Sequence, residues 1–543
     1  MPSFKDGIFF FVYFDKLVLI QYKPIMRLSN KLLAVISLIS FAVILIRCSG
    51  GTKTKQSGAS ANTEDISKGE VAAAQYCQSC HQLPAPSLLD KVTWRDHVLP
   101  VMGRYMGIKS EIERSQVVDP ESDASYLPNT PQIDSTHWVQ IIAYYVSKAP
   151  ERLPVQKIAE PIHQLPVFKI QPTTQWDSIH AMASYVKIDN SVSPHRIIVA
   201  DGLNNRLITL NDKGETMSAS VLGGTVVNML FQQDKITTTF IGKNLWANNF
   251  KNGFVKEIKI AAHGKITEAP QPEYYQLGRP LSTDIVDLNN DGKKDYLIAQ
   301  FGKMAGRLSW VERPNGQIQE HVLRDKPGCL KTIIAYNSKT KSQDIWALFA
   351  QGDEGIFFYA NDGKGNFTER KVLGFPPSYG SSSFDLVDFN GDGFKDIIYT
   401  CGDNGDFSQI LKPYHGVYIY LNDGKDNFTQ KYFYPINGCY KAIARDFDGD
   451  GDLDIAAISE FPGTVKPWQA FVYLENKGGF NFQAYTLPLD TPFSNGMTMD
   501  AGDIDGDGRI DLLLGNGYSN GNNNSQKQPL FMILKNISTP IAK

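Results

Sequence analysis

Four nine-residue segments of one pattern constrain the fold of this chain more than any other feature. Asp287, Asn289, Asp291 and Asp295 stand at positions one, three, five and nine of the pattern D-x-[DN]-x-D-G-x-x-D. Asp388, Asn390, Asp392 and Asp396 repeat it, as do Asp446, Asp448, Asp450 and Asp454, and again Asp503, Asp505, Asp507 and Asp511. An apolar triplet follows each segment, such as Leu512-Leu513-Leu514. Alternate side-chain oxygens on a tight turn converge on one point, and the glycine permits the turn. Hard oxygen donors in this number select Ca²⁺ over a transition metal, so about four calcium sites are expected. A bare Asp-Gly turn also closes a hairpin. Four copies in matching contexts favour the metal.

The segments start at 287, 388, 446 and 503, separated by 101, 58 and 57 residues, so the first gap holds two units. Within it Lys331–Asn337 mirrors Lys441–Phe447, and Cys329 mirrors Cys439. That unit keeps its strand but carries Tyr336 and Ser338 where the oxygen ligands stood. Asn361–Phe367, Asn422–Phe428 and Glu475–Phe480 close successive units with a hairpin. Two degenerate units, around Ile197–Leu210 and Val226–Ile258, bring the count to seven, with six and eight as alternatives. Sheets of about 50 residues each fill residues 166–543, and radial closure removes exposed edges. The expectation is an all-β propeller of about seven blades with calcium-binding loops. The acidic segments are similar to the FG-GAP/VCBS repeats of integrin-type β-propellers.

Loops expected over one end of this propeller carry many polar groups. Asp403–His415 is the richest, joined by Glu460, Phe461, Pro462 and Trp468, by residues 516–526, and by Lys331, Lys441 and Arg445 at inner strands. Such a cluster over a funnel predicts a binding or catalytic mouth; a hydrated loop surface is the plainer reading. His415 is the only histidine between 322 and 543 and is therefore the candidate catalytic base. An imidazole near its unperturbed pKa of about 6.5 suits proton removal at neutral pH. Cys329, Cys401 and Cys439 lack metal spacing and are expected as free buried thiols.

Ahead of the propeller, Tyr76-Cys77-Gln78-Ser79-Cys80-His81 has the C-x-x-C-H spacing of a c-type haem attachment. The thiols of Cys77 and Cys80 add to the two vinyl groups, and His81 presents its imidazole to the iron. No second C-x-x-C completes a four-cysteine zinc site. Asp65–Gln75 reads as a helix running into the motif, where a redox dithiol would want a βαβ setting. Ile66–Pro86 and Gln140–Lys148 are similar to the haem-bearing N-terminal helix and the C-terminal helix of class I cytochromes c. That resemblance implies a small all-α domain over 63–152 with one covalent haem. Thr93–Val98 and Pro100–Met106 predict two short helices with Trp94, Val98, Val101, Met102 and Tyr105 on one face. Met102 is the candidate second iron ligand; Met106, His97, His137 and an open position are the alternatives. The Pro-rich stretch 153–165 reads as a semi-rigid linker.

The N-terminus reads as an export signal. Arg27 and Lys31 flank the start of Leu32–Ile46, which is apolar apart from Ser37 and Ser40 and shorter than the ~20 residues of a stable span. Cys48 closes the segment 26–48, and a polar tether follows over 49–62. This is similar to a bacterial lipoprotein signal with Cys48 lipidated, although Arg47 stands where such signals carry a small residue. An uncleaved signal anchor is the alternative. Residues 1–25 read as sequence upstream of the true start, or as a second apolar element. The bulk of the chain is expected on the periplasmic or cell-surface side of a bacterial membrane.

Lys+Arg 54 against Asp+Glu 57 gives a formal net charge of −3, which excludes a basic nucleic-acid binder. The whole pattern resembles exported proteins that fuse a cytochrome c domain to FG-GAP-like repeats, which implies electron transfer with a redox partner protein. Three functions follow. The first is a membrane-anchored electron-transfer cytochrome whose propeller binds a partner or a substrate such as a carbohydrate. The second is a haem-linked periplasmic dehydrogenase with its site on the propeller face, although no pyrroloquinoline-binding signature is recognisable. The third is a haem-bearing adhesion or sensor module.

Overall fold

The computed structural model describes residues 63–539 apart from 115–123, 174, 233–234, 244, 246–247, 406–409 and 518–526. The segment expected to be an export signal, Cys48 and the expected tether therefore lie outside the described residues. No helix among the described residues is long and apolar enough to cross a membrane.

The helical region comprises α1 (Thr63–Tyr76), α2 (Leu99–Tyr105), α3 (Lys109–Arg114) and α4 (Ser135–Lys148). Helices α1 and α4 cross where Gly69 has no side chain. A Cβ at that position would sit 2.0 Å from the Gln140 carbonyl oxygen, so the close approach requires glycine. Asp134 caps α4 by accepting the His137 N–H. Ala72, Ala73, Trp94, Leu99, Trp138, Ile141 and Tyr145 form the apolar core. The two short helices expected around 93–106 merge instead, because a π-turn, Trp94–Val98, runs directly into α2. Pro100, in the first turn of α2, has no N–H to leave unsatisfied there. The changed rotation buries Arg104, at 1 % exposure, and leaves Tyr105 half-buried.

Seven antiparallel sheets make seven blades, which settles the blade count. Their innermost strands are Ala183–Asp189, Val226–Phe231, Pro280–Val286, Cys329–Asn337, Ser381–Val387, Cys439–Arg445 and Gly496–Gly502, numbered here as blades one to seven. The ring closes across the length of the chain. Phe168–Gln171 supplies the fourth strand of blade seven, with Phe168 opposite Asn536. Every innermost strand slips register after its first residue, and in blades one, four and six the third residue's side chain then reaches the next blade. Tyr185 donates to Met229 O at 3.4 Å, Lys331 Nζ to Phe384 O at 2.8 Å and Lys441 Nζ to Met499 O at 2.8 Å. The two lysines expected at a mouth therefore staple blade four to five and blade six to seven. Burial lowers Lys441 to about 8.

The linker is bound along its length rather than spanning a gap. Gln156 Nε2 lies 3.2 Å from Lys412 O and 3.0 Å from His415 O. Ile162 pairs in parallel with Tyr485 of blade six through two backbone hydrogen bonds. On the blade-five loop, Ile410 packs against the helical core, and the Tyr414 hydroxyl donates to Leu88 O at 3.0 Å.

Candidate functional site

Helix α1 passes directly into a single tight turn, Cys77–Ser79, with Cys80 N–H donating to Cys77 O at 3.4 Å. Both thiols are free; Cys77 is half-buried and Cys80 exposed. Burial, reinforced by Cys80, pushes the Cys77 thiol up to about 11. A dithiol oxidoreductase needs the reverse, a depressed thiol. His81 Nδ1 lies 2.9 Å from Gln82 O. That contact assigns the proton to Nδ1 and leaves Nε2 its lone pair. Trp94 Nε1–H donates to Pro86 O at 2.8 Å and the Tyr145 hydroxyl to Pro84 O at 3.0 Å, which fixes the segment after the turn. Met102 and Met106 both pack at the margin of the same core as Cys77. His97 is exposed, and His137 is held by the Asp134 carboxylate. A covalently attached haem takes two thiols, one imidazole and at most one further axial ligand, and the residues here include two thiols, one oriented imidazole and two thioethers against the same core.

The acidic segments connect the first and second strands of blades three, five, six and seven. In each, the first aspartate grips the turn glycine. Asp287, Asp388, Asp446 and Asp503 accept the N–H of Gly292, Gly393, Gly451 and Gly508 at 2.8–3.1 Å. Gly451, at φ 100°, occupies a region that residues with a Cβ avoid. One carboxylate oxygen from each of Asp446, Asp448 and Asp450 lies within 4.8 Å of the other two, and Asp503, Asp505 and Asp507 are grouped likewise. In blades three and five the middle member is Asn289 or Asn390, so two carboxylates replace three. The ninth aspartates also serve the sheet. Asp454 Oδ1 accepts Asn476 N–H, and its Oδ2 accepts Phe447 N–H and the Tyr473 hydroxyl. Asp295 and Asp396 bond to Leu288 and Phe389 N–H in the same manner, and Asp511 to Ile504 N–H.

The blade-five loop builds no open mouth around His415. That residue is 1 % exposed, and neither ring nitrogen has a hydrogen-bond partner among the described residues. Burial, then Lys412, holds it well below the usual imidazole range. Closed off in this way, the imidazole meets no open surface, and the geometry gives no support to the catalytic expectation for His415. The linker at Gln156 and the helical region at Leu88 cover the loop that carries it. Cys329, Cys401 and Cys439 are free and fully buried, as the sequence suggests.

Glu354 is the buried acid that sequence reasoning missed, because Gly352-Asp353-Glu354-Gly355 reads as a surface turn. It is 2 % exposed, and its Oε2 accepts the Ser381 N–H at 3.0 Å and the Ser381 hydroxyl at 2.7 Å. Burial pushes it up to about 8. The folded state therefore binds this proton more tightly than the unfolded chain. The resulting stability is complete below about pH 4.5 and is lost progressively as pH rises through about 8. Glu354→Gln should melt above the parent protein near pH 9 and no higher near pH 5. Parallel melting profiles across that range contradict the buried acid.

Residues 342–399 match the model of the FG-GAP-like repeat. The match runs from the second strand of blade four to the second strand of blade five and takes in the acidic segment at 388. No curated protein matches the chain. Among solved structures, a protein from Lactobacillus plantarum aligns at 13 % identity and TM-score 0.37, over 56 % of this chain and 85 % of that one. An ancestral GH74 enzyme aligns at 10 % identity and TM-score 0.42, over 67 % and 49 %. Sqt1 of Saccharomyces cerevisiae aligns at 8 % identity and TM-score 0.41, over 67 % and 98 %. The chain is a seven-bladed β-propeller that carries FG-GAP-like repeat sequence, with a helical region ahead of it in the chain.

Proposed function

We propose that this protein is an exported, membrane-anchored c-type cytochrome for electron transfer, whose calcium-stabilised propeller binds a redox partner or substrate. The observation that supports the reading is the C-x-x-C-H turn at the end of α1, with His81 oriented through Nδ1 and two methionines against the same core. A haem held there supplies one-electron exchange at its iron. Cys77 and Cys80 provide the covalent attachment. The Gln82 carbonyl keeps the His81 ring in one tautomer and strengthens Nε2 as a donor. Met102 supplies the thioether that raises a haem potential, with Met106 one turn further on as its competitor. The acidic segments at 287, 388, 446 and 503 hold calcium, and Cys48 carries the lipid.

The axial assignment has a spectroscopic test. Met102→Ala should remove the weak sulfur-to-iron charge-transfer band of the oxidised protein and lower its reduction potential, while Met106→Ala keeps both. Loss of the band in Met106→Ala alone moves the ligand to that residue. Retention in both variants contradicts thioether ligation.

A further inference from the structure

The packing between blades two and three leaves a cleft. Blade two divides its outer edge into Ile266–Glu268 and Tyr274–Leu277, both paired to Gly253–Ile260, and the second slips register between Tyr274 and Leu277. Gln276, inside the slip, sits at φ 58°. The apolar seam here consists of Val255, Tyr274, Ile298 and Val311, the smallest inter-blade core of the ring. The cleft beside it has a volume of about 560 Å³. Ligand pockets span roughly 300–1,000 Å³.

Strand alternation decides which side chains line the cleft. On Arg307–Glu312 of blade three, Leu308 and Trp310 enter the core shared with blade four. Arg307, Ser309 and Val311 take the opposite face and line the cleft. Across from them, the Tyr275 ring is 62 % exposed. A tyrosine ring so placed offers a flat apolar face with a polar tip. The Ser309 hydroxyl oxygen is buried in the cleft wall and has no hydrogen-bond partner.

The charges balance. Lys251 and Arg307 are matched by Glu320 and Asp325. The Arg307 guanidinium pairs with both carboxylates at 3.5 Å and donates to Glu320 Oε2 at that distance. A guanidinium has five N–H donors and a carboxylate about four acceptor sites, so these pairs leave capacity on both sides for a ligand's hydroxyls. A strongly anionic ligand would meet two carboxylates, and a cationic one would meet Lys251 and Arg307. A ligand that matches this lining is neutral, carries many hydroxyls that donate and accept, and has an apolar C–H face for an aromatic ring. Carbohydrates have all three properties.

We infer that the cleft between blades two and three binds a neutral carbohydrate, a short oligosaccharide, with Tyr275 as its stacking platform and Arg307 and Glu320 as hydroxyl partners. No residue of the C-x-x-C-H turn lines the cleft, so the site stands apart from the haem reading.

Calorimetric titration of the full chain with neutral trisaccharides of glucose, xylose and N-acetylglucosamine tests it. At least one should bind saturably. Tyr275→Ala and Arg307→Met should each weaken that binding about tenfold at an unchanged melting temperature. Tyr275 is exposed, so its variant tests the contact rather than the fold. No saturable binding by any of the three, or binding undiminished in Tyr275→Ala, overturns the inference. Haem content measured on the same samples separates the two readings. A chain that binds sugar without haem keeps the cleft and loses the cytochrome.

Discussion

Replacing Cys77 and Cys80 together by alanine is expected to abolish covalent haem, read as loss of haem staining on a denaturing gel. Thioether bonds are the links that survive denaturation, and the chain contains one C-x-x-C-H. Cys329, Cys401 and Cys439 are sealed at 0 % exposure within the propeller and offer no substitute. The propeller should still fold in the double variant, because its cores form between neighbouring blades and none of them contains a residue of the C-x-x-C-H turn. The single variants should differ from each other. Cys77 packs against the helical core and Cys80 is exposed, so Cys77→Ala carries an extra cost of about 1 kcal/mol for lost packing. Full staining in the double variant contradicts the attachment.

Calcium removal is expected to have the second large effect. At Asp446, Asp448 and Asp450, and again at Asp503, Asp505 and Asp507, three carboxylates crowd within 4.8 Å, an arrangement that opposes folding unless a cation offsets it. An ion bound only to the folded loops adds about 2.7 kcal/mol per site at a hundredfold excess over its Kd. Across four sites in a propeller of this size, EDTA should lower the melting temperature by roughly 10 °C. The Cys77–His81 turn contains none of these carboxylates, so the haem spectrum should persist through chelation. Blades six and seven should respond most, because they hold three carboxylates where blades three and five hold two. A melting temperature indifferent to EDTA and to added calcium removes the metal from the account.

Much of the propeller is legible in the sequence because its repeat is local. The spacings of 58 and 57 residues reproduce blades five, six and seven, and the doubled gap contains blade four without its acidic loop. Blades one and two have no acidic loop but keep strand-forming apolar runs at Ile197–Leu210 and Val226–Ile258. Contacts between distant segments are what the sequence hides. Nothing in Phe168–Gln171 announces that it completes blade seven beside Phe531–Asn536. The prolines of 153–165 suggest a spacer, whereas Gln156 and Ile162 bond to blades five and six. The same covering explains His415. Asp403–His415 has the composition of a solvated loop, but its last residue, His415, is buried where Gln156 and Leu88 meet that end of the loop. Lys331 and Lys441 look like mouth residues until the register slip turns them onto the carbonyls of the next blade. The C-x-x-C-H turn needs only five adjacent residues and so is readable directly, while the choice between Met102 and Met106 depends on the rotation set by the π-turn at Trp94–Val98.

The most direct test of the central claim is the intact mass of the full chain after export from a host that matures c-type cytochromes, measured under denaturing conditions. The account predicts a chain heavier by one haem, with the added mass confined after proteolysis to the peptide that contains Cys77 and Cys80. A polypeptide at its bare mass, with both thiols free to react with an alkylating reagent, contradicts it.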